Sequence, residues 1–456
     1  MSLPSKLVAL LRETFPGDAL AIDEGARAAY SSDDSRRHAL PDAVVFPTTH
    51  DQVEALVQAC RTHRIPLTAR GRGTNTTGAA VPVHGGVVLS FERMNRIVRI
   101  DPDNRLAVVE PGVLNGDLQE ALGAHGFFWP PDPSSAAWCS VGGNLACNAA
   151  GPRTVKYGSP RENTLGLRAV SGRGEGFRCG TYTSKGATGY DLTRLLIGSE
   201  GTLALITEAT LKLTPKPSAL RTLRATYRDV GAAARAVARI MAQPVTPCAL
   251  EFMDTVALQL ARDHGGDSVP RAGALLMIEV DGEPDSLATA VGAVSAAARG
   301  DGLEKMQVAT NETETATLWA ARKALSPAQL KISQHKINED VVVPVSQLPA
   351  LVDGIQLLAA KYALPIVSFG HAGNGNLHVN LLPRDQAERE RAPACLAELF
   401  ALVIALEGTL SGEHGIGLVK REFMPLALEP ATLGLMRHIK TAFDPDGILN
   451  PGKLLP

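Results

Sequence analysis

Two short stretches hold the side chains best suited to chemistry. The first, Ser368-Phe-Gly-His-Ala-Gly-Asn-Gly-Asn-Leu-His378, carries His371 and His378 around a glycine-rich turn. The second, Ser411-Gly-Glu-His-Gly415, offers Glu413 and His414 between small residues. Two imidazoles and one carboxylate form a common ligand set for a catalytic divalent metal with an open position. The adjoining His414 then stands as a proton acceptor. Spacing alone does not separate this arrangement from a pair of structural histidines, because His-x6-His is a weak signature.

Stepping outward, apolar residues flank the first stretch on both sides: Pro365-Ile-Val-Ser-Phe before it, Leu377, Val379, Leu381 and Leu382 after it. They read as two strands joined by Ala-Gly-Asn-Gly, residues that tolerate positive φ, so a hairpin brings the imidazoles together. Nearer the N-terminus, residues 1–40 read as an amphipathic helix and a polar connector. Ala43–Phe46 reads as a strand, Thr49–Cys60 as a capped helix and Ile65–Ala69 as a second strand. That strand runs into Arg70-Gly-Arg-Gly-Thr-Asn-Thr-Thr-Gly78, whose backbone N–H groups suit anionic oxygens. The loop is neither G-x-G-x-x-G nor a Walker A loop, which removes a Rossmann or P-loop reading. Trp129–Ser135 and Ser140–Gly151 have the composition of ordered binding loops. A further Gly/Ser/Thr-rich turn lies within Tyr190–Glu208, and Thr210–Pro217 reads as a strand with a proline-marked end, a domain boundary.

Composition narrows the class. The 456 residues suggest two or three domains, and 45% hydrophobic content is ample for real cores. A net charge of −2 gives no basic excess for nucleic acid. No apolar run spans a membrane, and the N-terminus has neither the apolar length of a secretory signal nor the composition of a transit peptide. Six cysteines without a CxxC pair point to reduced thiols in the cytoplasm.

The Arg70–Gly78 loop, Pro131-Asp-Pro-Ser-Ser135, Val141-Gly-Gly-Asn144, Gly189-Tyr-Asp-Leu192 and Gly198-Ser-Glu-Gly-Thr202 follow one another in order. Together they resemble the FAD-binding domain of the vanillyl-alcohol-oxidase / p-cresol methylhydroxylase (PCMH) superfamily. The C-terminal half carries Gly370–His378, Ser411-Gly-Glu-His-Gly-Ile-Gly417 and Asp444-Pro-Asp-Gly-Ile-Leu-Asn-Pro-Gly-Lys453. These resemble the superfamily's FAD-dependent D-2-hydroxyacid dehydrogenases, a branch that includes D-lactate dehydrogenases, D-2-hydroxyglutarate dehydrogenases and the glycolate oxidase flavin subunit. The likeness runs from about Pro41 onward.

The resemblance implies an α+β fold. A PCMH-type FAD domain would occupy 1–217 (core about 41–217), and a substrate domain with an antiparallel sheet and flanking helices 218–410. Residues 411–456 would return to the FAD side. It implies FAD contacts at Arg70, Gly71, Gly73, Thr74, Asn75 and Gly78, and at Pro133, Ser134, Gly143, Asn144, Glu200 and Ile206. Relatives with a covalent flavin use a His in the first loop; Thr74 stands there, which implies non-covalent FAD. The metal (zinc, with manganese or iron compatible) falls to His371, His378 and Glu413, and the base to His414. Arg322, in Leu318-Trp-Ala-Ala-Arg322, would hold the substrate carboxylate through its planar fork of donors. Lys336 and Asn376 are further substrate contacts. Asn374 departs from the family's usual Asp and removes a negative charge beside the histidines. The activity so implied is oxidation of a D-2-hydroxy acid, with electrons passed to a quinone, cytochrome or electron-transfer flavoprotein; a homodimer is compatible with it. Four alternatives stay open: a glycolate oxidase-type flavin subunit or an oxygen-using oxidase on the same fold, a non-enzymatic flavin carrier, and a His2Glu hydrolase without flavin.

Overall fold

The structure, a computed structural model, describes residues 3–265, 269–323, 325, 333 and 335–456. The chain divides into two compact units. The first comprises Met1–Gly151, Gly158–Lys216 and Glu413–Pro456, and the second Pro152–Tyr157 and Pro217–Gly412.

In the first unit the short apolar runs Ala43–Val45, Val87–Ser90 and Leu67–Arg70 lie side by side as parallel strands, with Leu20–Ala21 added antiparallel at one edge. Such runs, apolar on both faces, suit parallel strands covered on both sides. The helix His50–His63 covers one face with Val53, Leu56, Val57 and Cys60. Its start is capped by Thr49, whose hydroxyl accepts from the Gln52 N–H. A second, antiparallel sheet runs Ile97–Asp101, Leu106–Val109, Ala204–Lys212, Thr164–Ser171, Gly176–Gly180. The helix Ser5–Thr14 packs Leu7 and Leu11 into the first core. The C-terminal segment joins that core too: the Leu67 N–H donates to the Ile448 carbonyl at 2.8 Å, and the Asn450 N–H to the Leu67 carbonyl at 2.8 Å.

One reading changes here. Ser140–Gly151 has loop composition, yet Val141–Cys147 is a helix whose N-terminus Ser140 caps by accepting from the Gly143 N–H at 3.2 Å. Two glycines weaken its intrinsic propensity. Burial of Val141 and Leu145 against Val109, Leu203 and Ile206 outweighs that cost. The strand expected over Thr210–Pro217 is also split, because Lys212 ends a long strand and Thr214–Pro215 pairs separately with Phe127–Phe128.

Among the described residues, the second unit is built on a seven-stranded sheet whose neighbouring strands are all antiparallel. Its order is Leu303–Val308, Ala219–Tyr227, Ala274–Gly282, Ala249–Asp254, Ile366–Gly370, Asn376–Leu381, Ile337–Val342. The helices Thr255–Gly265 and Glu312–Lys323 pack Ala257, Leu258, Ala261 and Leu318 on the face that carries Met253, Met277 and Phe369. The α+β class and the antiparallel sheet with flanking helices are those expected from the sequence. Among the described residues no helix is long and apolar enough to cross a membrane.

Candidate active site

In the second unit the hairpin forms as its residues predict. Ile366–Gly370 pairs antiparallel with Asn376–Leu381, with Phe369 opposite His378. The turn closes through Gly375 at φ 72°, where an added Cβ would lie 1.8 Å from the Val343 carbonyl oxygen. The His371 and His378 rings meet edge to face with centroids 5.2 Å apart, and both residues are buried.

What orients His371 is a residue that sequence reasoning missed. Glu251 stands in the apolar strand Ala249–Asp254, 1% exposed, and its Oε1 lies 2.5 Å from His371 Nδ1. Its Oε2 accepts from Arg322 Nε at 3.0 Å. Burial alone would raise this carboxyl, but the His371 ring and the Arg322 guanidinium outweigh burial and hold it at about 2. A carboxylate on Nδ1 fixes the ring's tautomer and turns Nε2 outward as a ligand atom. The same carboxylate fixes Arg322, whose guanidinium also lies 4.7 Å from the centre of the Phe369 ring. Glu251 therefore couples a candidate ligand to the candidate carboxylate clamp. The available signal was one acid in the middle of an apolar strand.

Asp340 was missed for the same reason. It is fully buried opposite His378 and accepts from Ser411 Oγ at 3.0 Å and from the Gly412 N–H at 2.8 Å. Asn376 is buried and donates to the Val341 carbonyl at 3.1 Å. Asn374 Oδ1 is buried with no hydrogen-bond partner among the described residues, at the position where an Asp would bring charge. Lys336 is half-buried just before the strand Ile337–Val342, at the end away from the hairpin turn.

In the first unit, the Arg70–Gly78 loop packs on the start of the helix Val141–Cys147. A Cβ on Gly71 would sit 2.5 Å from Ser140 Oγ. Thr76 Oγ1 in this loop is buried without a hydrogen-bond partner among the described residues, a donor that suits a bound anionic group. Several expected contact residues also bond to protein. Arg70 Nη1 donates to the Ser32 carbonyl at 2.6 Å, and its guanidinium stacks over Tyr30. Asn144 Oδ1 accepts from Asn115 Nδ2 at 3.0 Å. Ile206 is 8% exposed in the core, Pro133 is buried, and Ser134 is exposed. Thr74, Gly73 and Gly143 are half-buried, whereas Gly78 is buried and faces Leu418.

The Glu413–Gly417 segment has no regular structure, yet nearly every residue in it is held. Glu413 Oε2 accepts from the Gly151 N–H at 2.7 Å. The His414 carbonyl accepts from Asn75 Nδ2 at 3.0 Å and Thr77 Oγ1 at 3.3 Å. Glu200 accepts from the Ile416 N–H at 2.6 Å and the Gly417 N–H at 2.8 Å. Burial pushes the Glu200 carboxyl up to about 7, against the pull of these two N–H groups and of Lys453 and Lys420. Gly417 has φ 51°, and a Cβ there would fall 2.3 Å from the Thr77 carbonyl oxygen. Gly417→Ala is therefore expected to lose about 1–3 kcal/mol from backbone strain, plus the cost of the clash. Urea unfolding of the two proteins, compared at equal flavin content, measures it.

Comparison with known proteins agrees with this architecture. The FAD-linked oxidase C-terminal domain model matches residues 216–454, and an FAD-binding domain model matches residues 41–180. The chain is 40% identical to the glycolate oxidase subunit GlcD of Bacillus subtilis over 94% of its own length and 92% of that protein's. It is 33% identical to a D-lactate dehydrogenase of Anaerostipes hadrus, covering 97% of this chain and 93% of that one. A solved structure of p-cresol methylhydroxylase superposes with a TM-score of 0.81 at 19% identity, over 98% of this chain and 96% of that one, a likeness of fold. The chain belongs to the FAD-linked oxidases and is a flavoprotein oxidoreductase of that family.

Proposed function

We propose that the protein is an FAD- and divalent-metal-dependent dehydrogenase that oxidises a D-2-hydroxy acid, D-lactate-like or D-2-hydroxyglutarate, to the 2-oxo acid. The observation that carries this reading is the Glu251 bridge between His371 Nδ1 and Arg322 Nε. It joins a metal-type imidazole to a carboxylate-type cation, which is what a 2-hydroxy acid requires at its C2 oxygen and its carboxylate.

When bound, FAD supplies the hydride acceptor and the metal acidifies the substrate hydroxyl. His371, His378 and Glu413 hold the metal, which is zinc, manganese or iron by the nitrogen and oxygen character of the donors. Chain continuity supports Glu413 as the third ligand. Gly412 is hydrogen-bonded to Asp340, the cross-strand partner of His378, and Glu413 is the next residue. Arg322 orients the substrate through one carboxylate oxygen, using the donors that Glu251 does not take. His414 accepts the hydroxyl proton. Asn376 and Lys336 are further contacts, the latter suited to a second carboxylate. The first unit is the FAD side and the second the substrate side. Thr74 stands where a flavin-linked His would, so the FAD is non-covalent, cradled by the loop that begins at Gly71.

A second reading has its own support. The 40% identity to a protein named as a glycolate oxidase subunit favours glycolate as the substrate on the same machinery. Dye-coupled turnover with D-lactate, L-lactate, D- and L-2-hydroxyglutarate and glycolate separates the two. The proposal expects kcat/KM for one D-acid at least about 100-fold above its L-enantiomer, the scale set by a misoriented C2–H. Equal rates for both hands would overturn it, and glycolate as the fastest substrate would establish the second reading.

A further inference from the structure

Glu200 and Asn75 stand among the expected cofactor contacts, yet their side chains point their polar atoms at the segment that carries His414. Asn75 Oδ1 gathers the Thr77 N–H at 2.9 Å, Thr77 Oγ1 at 2.8 Å and the Ala79 N–H at 3.1 Å. Its Nδ2 donates to the His414 carbonyl and to Cys147 Sγ, which leaves the amide no hydrogen to spare. Thr77 extends the hold. Its single hydroxyl hydrogen is shared between Asn75 Oδ1 at 2.8 Å and the His414 carbonyl at 3.3 Å, and its own carbonyl accepts from the Leu418 N–H at 2.8 Å. Two and three residues beyond His414, both Glu200 oxygens are taken by the Ile416 and Gly417 N–H groups.

Glu200 is itself fixed with unusual thoroughness. Its backbone sits at φ 53°, a left-handed conformation that non-glycine residues adopt at a cost. Its N–H donates to the Ala146 carbonyl at 2.8 Å, and its carbonyl accepts from Asn450 Nδ2 at 2.7 Å. The residue is 4% exposed. A carboxylate buried at this cost, on a strained backbone held from both sides, is an expensive way merely to pack a loop. An apolar side chain would pack it more cheaply but would leave the Ile416 and Gly417 N–H groups unpaired.

We propose that Glu200, with Asn75 and Thr77, is a positioning residue for His414: the amide and the carboxylate fix the three successive peptide units that follow its Cα, so that the imidazole is presented at one angle. This rests on the reading of His414 as the proton acceptor. Residues 411–416 lie outside helix and strand, so the segment is held by side-chain bonds rather than by a regular backbone ladder. General-base transfer depends on heavy-atom distance and alignment, and a displacement near 1 Å costs about 100-fold.

The test is Glu200→Gln in the flavin-loaded full chain. Gln can accept from one of the two N–H groups, while its NH2 opposes the other. Hydrogen exchange across 413–419 is expected to rise, with flavin content unchanged. The kcat is expected to fall roughly 10- to 100-fold while KM for the hydroxy acid stays within about threefold. Asp444→Asn is the control: this buried carboxylate accepts from the Ile448 and Leu449 N–H groups and from Lys440 Nζ, all outside the loop. It is expected to lower Tm without changing kcat. Unchanged exchange over 413–419 in Glu200→Gln overturns the clamp whatever the rate does, and loss of flavin from that variant returns Glu200 to a cofactor role and overturns it too. Full kcat in His414→Asn overturns the base reading whatever the exchange does.

Discussion

His414→Asn is expected to lower kcat by about 10²–10⁴-fold, the range for removing a positioned general base. The amide is smaller than the imidazole but stays polar and cannot act as a base near neutral pH. The His414 carbonyl bonds to Asn75 and Thr77 come from the backbone and survive the change. KM for the hydroxy acid, assigned by the proposal to Arg322 and the three candidate metal ligands, is expected to move little. That split identifies a group acting in the transition state rather than in ground-state binding. Stopped-flow reduction of the flavin by the preferred D-acid reads the chemical step directly. A reduction rate within a few-fold of the parent would remove His414 from the mechanism.

His378→Ala is expected to abolish turnover by removing one of the three side chains proposed to hold the metal. Its metal content per chain, measured after desalting, is expected to drop while flavin content holds, because His378 belongs to the second unit and the FAD loops to the first. Glu251→Gln provides the graded comparison. It keeps every ligand but replaces the carboxylate on His371 Nδ1, and losing such an outer partner costs about 10–100-fold in metal affinity. It also releases Arg322, so KM is expected to rise as well. If His378→Ala retained both metal and turnover, the two imidazoles would be structural, as their spacing alone allows.

The parts of this site read correctly from sequence are those encoded by neighbouring residues. The hairpin was legible because apolar strands flank an Ala-Gly-Asn-Gly turn, a local pattern with a local cause. The helix His50–His63 was legible from its Thr49 cap and its apolar period. Val141–Cys147 was not, because Gly142 and Gly143 speak against a helix and only the core contacts of Val141 and Leu145 reverse them. Glu251 and Asp340 act across strands: Glu251 meets a histidine 120 residues away, a pairing that no local spacing announces. The same holds for Glu200, which lies 216 residues from its partner Ile416. Resemblance marked Glu200 and Asn75 as important, but only the hydrogen bonds show that their side chains face the His414 segment.

The most direct test of the central claim is anaerobic bleaching of the flavin absorbance by the preferred D-acid, before and after chelation. The predicted result is rapid bleaching by the D-acid and none by its enantiomer, loss of bleaching when the metal is stripped, and recovery on adding a divalent cation. Bleaching that persists in demonstrably metal-free protein would contradict the role given to His371, His378 and Glu413, and a yellow protein that no 2-hydroxy acid bleaches would contradict the dehydrogenase itself.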